Sequence, residues 1–261
     1  MSGRGVRAEG RGADARIEVL PVEGLPEIEN GDRLGAMVAE RAGLRDGDIV
    51  VVAQKAVSKA EGRVRRLGEV EPSPKVRELA AALGKDPALV HLVLAESRSV
   101  IRAERDVLIV ETASGWICAN AGIDASNVPG EDAVTLLPTD PDASARRIRG
   151  EIRARGGRSP AVVVSDSFGR PWRLGQADVA IGCAGLAPLD DWRGRRDRTG
   201  RELSATVGAV ADQVAAAADL ARDKAAGVPA LVVRGLDRLV IAGDGPGAAA
   251  IQRPAPEDLF R

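Results

Sequence analysis

The sequence predicts an α/β fold, of mixed α+β character, arranged in two lobes. Three observations predict it. Short apolar runs at Asp48–Ala53, Ala161–Val164 and Ala230–Arg234 have the length of buried strands. Other stretches carry apolar residues at helical spacing, the longest being Ser204–Ala226. Strands and helices then mix without a strict βαβ alternation.

Each element has a local cause. Ile17–Val22 reads as a strand ending at Pro21. Asp32–Leu44 places Leu34, Met37, Val38 and Ala42 on one helical face. Asp48–Ala53 is a continuous strand after the turn Arg45-Asp46-Gly47. Pro74–Leu83 and Pro87–Ala95 read as helices, each with Ser or Asp before a first-turn proline. Val107–Glu111 and Trp116–Ala119 can pair as a hairpin across Ala113-Ser114-Gly115. Asp140-Pro141 opens a helix that runs to Gly156-Gly157, with Ile148 and Ile152 inward. Ser204–Ala226 reads as one long Ala/Val helix stopped by Gly227, and Ala230–Arg234 and Arg238–Ala242 as two last strands. A lobe boundary is expected in 61–74 or in 129–141.

At 261 residues the chain can bury a substantial core, as one large domain or two modest ones. Residues 1–15 hold Gly, Arg, Ala and acid with no apolar core, which predicts a frayed tail and not a signal peptide; residues 16–261 form the folded region. A net charge of −1 gives no electrostatic case for nucleic acid or membrane. Aromatics at 2% and no tyrosine argue against stacking platforms for single strands. No window of 18 apolar residues exists to span a membrane. Cys118 and Cys183 lack metal-ligand spacing and read as thiols of a cytoplasmic protein. The basic residues are 32 arginines and only 5 lysines, so each lysine is informative.

The stretch SDSFGRPWRLGQADVAIGCAG at 165–185 carries the most chemistry. It follows the apolar run Ala161–Val164, so Ser165, Asp166 and Ser167 stand at a strand's carboxyl end, where ligands of open α/β sheets sit. Arg170 and Arg173 follow in a Gly/Pro turn. Carboxylate, hydroxyl and cation on one loop are the groups needed to hold a metal ion and a phosphate together. In ANAGIDASNV, at 119–128, Asp124 lies in a loop of small residues and Asn127 offers both donor and acceptor. This can be an Asx-turn, or, beside Asp166, half of a two-carboxylate metal site. In QKAVSK, at 54–59, two of the five lysines follow a strand, either as a solvated strand end or within reach of a phosphate. EGLPEI, at 23–28, reads as a plain turn.

Other chemistries are excluded or disfavoured. There is no G-x-x-x-x-G-K-[ST] phosphate loop. Gly243-Asp244-Gly245-Pro246-Gly247 comes near a dinucleotide fingerprint but lacks the crossover helix and second strand, so it reads as a terminal turn. His91 is the single histidine, on an apolar helix, which excludes H-E-x-x-H zinc chemistry and Ser-His-Asp catalysis in their usual forms. A metal would be held by oxygens, which favours Mg²⁺ or Mn²⁺ over zinc.

Taken together, LPVEGLPEI at 20–28, VVVAQKAVSKAEG at 50–62, ANAGIDASNV at 119–128 and SDSFGRPWRLGQADVAIG at 165–182 resemble the coenzyme F(420)-0:L-glutamate ligases, over nearly the whole chain. The resemblance implies a GTP-dependent γ-glutamyl ligase with L-glutamate and the deazaflavin coenzyme F(420)-0 as partners, and Mg²⁺ or Mn²⁺, with K⁺, as cofactors. It places Leu25, Pro26, Glu27, Ile28, Gln54, Lys59 and Asn127 at GTP contacts, Gln54 standing where other members often carry Ser or Thr. It places Asp124, Asp166 and Ser167 at divalent-metal positions, with Asp124 and Asp166 catalytic. Arg222–Pro229 matches a further nucleotide loop loosely. Arg170 and Arg173 are candidates for anion binding, and Asp178 is a reserve metal candidate or a buried ion-pair or cap residue. The resemblance also implies a two-lobed fold, an intertwined homodimer and the stand-alone form without a second domain. Three alternatives stay open at this point: an amide ligase of the same fold acting on another carboxylate, a metal-dependent phosphohydrolase, and a nucleotide sensor.

Overall fold

A computed structural model describes residues 16–128, 130, 132–223 and 227–259; the expected tail at 1–15 lies outside the described residues. In chain order the elements are β1 (Glu18–Pro21), α1 (Leu34–Arg41), β2 (Ile49–Ala53), α2 (Gln54–Ala60), β3 (Val64–Arg66), α3 (Pro74–Ala82), α4 (Pro87–Ala95), β4 (Ser97–Glu104), β5 (Val107–Thr112), β6 (Ile117–Ala119), β7 (Ala133–Thr135), α5 (Pro141–Gly156), β8 (Ala161–Arg170), β9 (Arg173–Ala184), β10 (Leu189–Asp191), β11 (Val207–Ala209), α6 (Val210–Leu220) and β12 (Ala230–Arg234). The fold is mixed α+β.

The central sheet has the order β1-β12-β2-β8-β9. Only β2 and β8 run parallel; the other neighbours are antiparallel. Strand alternation divides its residues between two cores. Val50, Val52, Val162, Val164 and Val232 pack under α1, α2 and α5 through Val38, Val57, Ile148 and Ile152. Ile49, Val51, Val163, Leu231 and Val233 pack under α6 through Ala211, Val214 and Ala218. A third core belongs to α3, α4 and the three-stranded sheet β4-β5-β6, built from Ala80, Leu83, Val90, Val93, Leu108 and Val110.

The register of the central sheet positions the site. Ala53 at the end of β2 lies beside Ser165 in β8, so α2 and the Asp166 segment start together. Pro21, at the end of β1, lies beside Leu231, and the Val22 N–H donates to the Ala230 carbonyl, so the turn after β1 emerges at the same end. The Ala53 N–H donates to the Pro229 carbonyl, which brings in the loop before β12. Segments far apart in sequence thus meet at one edge.

Buried polar groups tie the periphery to this frame. Arg149 of α5 is almost fully buried and donates to the carbonyls of Pro160, Gly243, Ile241 and Ala242 and to Asp244. Gly185 is required beside it: φ is +74°, and a Cβ would fall 2.5 Å from Arg149 Nε. Asp142 accepts the N–H groups of Cys183, Ala248 and Ala249, joining the outer edge of β9 to the C-terminal segment.

Several elements differ from the sequence reading. QKAVSKA is not a loose strand end: it winds directly into α2. Ser97–Glu104, read as no element, pairs with β5 as β4. Ser165–Arg170 is not a loop but the continuation of β8, paired with β9 after a bulge at Val164/Ser165 and with a second register shift at Gly169/Arg170. The long helix begins at Val210 and ends at Leu220, because Val207–Ala209 pairs with β10 as a strand. Arg238–Ala242 is no strand either: it forms a short 3₁₀ turn at Asp237–Leu239 and one isolated bridge, Leu186 to Val240. In each case a partner strand or neighbouring packing overrides the local pattern.

Candidate functional site

The edge described above opens into a cavity of about 770 Å³. Its walls come from the turn after β1 (Pro26, Glu27, Ile28), from α2 (Gln54, Lys55, Lys59), from the loop after β6 (Asp124, Ser126, Asn127), from β8 and β9 (Ser165, Asp166, Ser167, Gln176, Asp178) and from the loop before β12 (Arg222, Asp223, Gly227–Pro229). A second chamber of about 420 Å³ shares Glu27, Ile28 and Lys59 with it.

Asp124 is held from both sides. Its backbone N–H and C=O pair with Thr135 of β7 at 3.1 and 2.8 Å. The approach passes through Asn120, Ala121 and Gly122, all with φ near +50 to +70°. Its side chain forms an Asx-turn, with Oδ1 accepting the Ser126 N–H at 2.6 Å. Oδ2 lies 2.9 Å from Lys55 Nζ, and the same ammonium donates to Ser126 Oγ. Burial works to raise the Asp124 carboxyl, but the Ser126 N–H and Lys55 outweigh it and hold it below the usual range. The turn and the cavity-facing carboxylate are therefore one structure, not alternatives.

Asp166 stands in a contrasting environment. Burial pushes its carboxyl up to about 7, and the charges of Asp178 and Asp124 push the same way, against a Ser167 N–H and Lys55. Burial is the main cause of the rise, and the two neighbouring acids add to it.

Strand alternation sends Ser165 and Ser167 to the face opposite Asp166. There Asp178 gathers Ser165 Oγ at 2.8 Å, Ser167 Oγ at 2.6 Å and Arg222 Nη1 at 2.7 Å. The Asp178 and Arg222 side chains are 1% and 10% exposed. Asp178 accordingly takes the buried-pair role, and the Ser167 hydroxyl is turned toward it. Gln54 is buried, donating to Ser58 Oγ at 2.7 Å and to the Leu136 carbonyl at 3.1 Å, which fixes its amide at the cavity wall. Lys59 is held by Glu27. Arg170 and Arg173 lie at the tip of the β8–β9 hairpin, outside the cavity lining, with Arg170 Nη2 donating to the Leu174 carbonyl.

Residues 24–235 match the F420-0:Gamma-glutamyl ligase family. The chain belongs to this family. It is 44% identical to the coenzyme F420:L-glutamate ligase of Methanothermobacter thermautotrophicus over 94% of this chain and 99% of that one. It is 44% identical to the enzyme of the same name from Archaeoglobus fulgidus over 94% of this chain and 97% of that one. For the Haloarcula marismortui protein, again so named, the values are 45%, 94% and 96%.

Within this γ-glutamyl ligase family member, the donor set fits a hard divalent cation. The Asp124 and Asp166 side chains line one cavity, and the charge of Asp124 acts on Asp166. Among the described residues no group of three or more His, Cys, Asp or Glu closes into a full protein cage. Mg²⁺-type sites use one or two carboxylates, with phosphate oxygens and water completing the shell. Neither sulfur takes part: Cys118 and Cys183 are buried, and burial pushes both thiols up to about 12.

Sequence reasoning groups Lys55 with Lys59 as lysines that can reach a phosphate, but gives only Lys59 a place at the site. The signal was present, since Lys55 and Lys59 are four apart and two of the five lysines. Once α2 is known to be helical, that spacing puts both on one face. Arg222 had only the loose loop match to indicate it; its pairing with Asp178 across 44 residues is a tertiary fact.

Proposed function

We propose that this chain is a GTP-dependent ligase that joins L-glutamate to coenzyme F420-0, and then adds a further γ-linked glutamate. The observation that carries the reading is one cavity, in a member of the γ-glutamyl ligase family, that unites the turn at Pro26–Ile28, α2, Asp124 with Asn127, and Asp166. A carboxylate is a poor electrophile and must be activated. Its oxygen attacks the γ-phosphorus of GTP, the bond from that phosphorus to the β-γ bridging oxygen breaks, and GDP leaves. The glutamate amine then attacks the acyl carbon of the acyl phosphate, the carbon–oxygen bond to phosphate breaks, and the nitrogen gives up a proton as the amide forms.

In this reading Asp124 and Asp166 hold Mg²⁺ or Mn²⁺, which when bound offsets charge on the transferred phosphoryl group. Ser167 contributes its oxygen only by releasing the hydroxyl from Asp178, and K⁺ serves as a monovalent cofactor. Pro26–Ile28, Gln54, Lys59 and Asn127 line the nucleotide's place, with Leu25 packed behind them against the core and Lys59 offering a point charge to phosphate. Arg170 and Arg173, remote from the cavity within one chain, hold anionic groups only if a second chain brings them there. The separate core of α3, α4 and β4–β6 supports a second lobe. Trp172 and Leu174, 79% and 97% exposed at the β8–β9 tip, support a homodimer. No helix among the described residues is long and apolar enough to cross a membrane, which agrees with a cytoplasmic enzyme.

The test supplies purified protein with F420-0, L-glutamate, GTP and Mn²⁺. Mass spectrometry should show the glutamylated coenzyme, with GDP release dependent on both acceptor and glutamate. GDP release that needs neither would make the protein a phosphohydrolase. Light scattering should give twice the 27.2 kDa of one chain.

A further inference from the structure

The Lys55 ammonium sits where a metal ion would compete with it. It lies 2.9 Å from Asp124 Oδ2, donates to Ser126 Oγ, and acts electrostatically on Asp166 as well. Among the described lysines it is the one in contact with Asp124, whereas Lys59, one turn along α2, is engaged by Glu27. Its side chain is 25% exposed on a flexible unbranched stem, so it can leave Asp124 without disturbing the core.

We propose that Lys55 is a built-in counter-ion of the carboxylate pair: it occupies Asp124 when no metal is bound and gives it up when a divalent cation arrives with nucleotide phosphates. The inference rests on the metal-site reading of Asp124 and Asp166 above. Charge counting supports it. With both carboxylates ionised, as a metal site requires, the pair and one ammonium sum to −1. A divalent ion in place of the ammonium brings the sum to zero. Both cations together bring it to +1, with an ammonium a few ångströms from a divalent ion and repelled by it. Lys55 must therefore swing away, and incoming phosphate oxygens offer it a charge-assisted partner. Metal alone has to displace the lysine without compensation, whereas metal with nucleotide does not. Metal and nucleotide then bind cooperatively, and the coupling is reciprocal. If Lys55–Asp124 were only a surface ion pair of small worth, no such coupling would depend on it.

The test measures Mn²⁺ binding to nucleotide-free protein by electron paramagnetic resonance, then repeats it with GDP. Lys55→Gln should bind Mn²⁺ alone about tenfold more tightly than wild type and should gain less from GDP. Lys55→Arg, which keeps the charge, should stay near wild type. Ser126→Ala, which removes one partner of the ammonium and no charge, should tighten Mn²⁺ binding by a smaller factor; it carries the test if Lys55→Gln does not fold. Mn²⁺ affinity unchanged or weakened in Lys55→Gln and in Ser126→Ala overturns the counter-ion role. Wild-type Mn²⁺ binding retained in Asp124→Asn, or no Mn²⁺ binding by wild type with GDP, overturns the metal site itself and this inference with it.

Discussion

At the scale of single residues, the two carboxylates of the cavity are set apart by their surroundings. The Ser126 N–H and Lys55 hold Asp124 low, while burial and two neighbouring acids hold Asp166 at about 7. In metal-free protein the folded state therefore binds a proton at Asp166 more tightly than the unfolded chain, whose carboxyl titrates near about 4. The stability this provides is complete below about pH 4 and is lost as pH rises through about 7. Calorimetry in a chelator should show the melting temperature of wild type falling relative to Asp166→Asn across that window. Parallel profiles for the two proteins would mean that charge at 166 is not strained by burial. Lys59 makes a second prediction. Removing a charge-assisted contact of its kind costs about 1.5–3 kcal/mol, so Lys59→Ala should raise the KM for GTP roughly ten- to a hundred-fold with the fold intact. Unchanged steady-state constants would take Lys59 out of the site.

At the scale of elements, the β8–β9 ladder and the end of α6 are locked by one buried pair. Asp178 is satisfied by Ser165, Ser167 and Arg222 together. Arg222→Met would leave a buried carboxylate without its cation, and loss of one partner from such a pair costs about 3–5 kcal/mol. Asp178→Asn combined with Arg222→Met should recover part of that loss, because the orphaned charge is gone. Urea denaturation of the single and double variants measures it, and strict additivity would show that the pair does not act as a unit.

At the scale of the whole molecule, Arg149 links α5 to the start of β8 and to the segment 241–244. Five hydrogen bonds from one almost fully buried side chain close the C-terminal segment over the edge of the central sheet. Arg149→Met leaves its carbonyl partners without their donor, at about 1–3 kcal/mol for each that stays buried, and should expose the amides of 241–249 to hydrogen exchange ahead of global unfolding. Gly185→Ala, which forces a Cβ into the same guanidinium at a left-handed φ, should reproduce the exchange phenotype. Protection of 241–249 that is unchanged in both variants would remove Arg149 from this role.

Much of this was legible in the sequence, because it has local causes. Asp86-Pro87 and Asp140-Pro141 cap and open their helices wherever they occur, and Gly157 ends α5 in the left-handed conformation that glycine tolerates. The apolar runs of β2, β8 and β12 could only be strands of a buried sheet, and the motifs around Asp124 and Asp166 announced an oxygen-rich site. What stayed illegible depends on partners distant in the chain. The pairing of Ser165–Arg170 with β9 carried Arg170 and Arg173 away from the cavity and turned Ser167 toward Asp178. Val207–Ala209 left the helix it resembles because β10 lay beside it. Composition and periodicity thus marked the buried strands and the capped helices whose causes lie within a few residues, but not the strands at 97–104, 165–170 and 207–209, which exist only beside a partner. Tertiary pairing decided which of those segments meet: the central sheet set the start of α2 beside the Asp166 strand, and the pairing of Asp124 with Thr135 of β7 set Asp124 against Lys55 rather than against solvent.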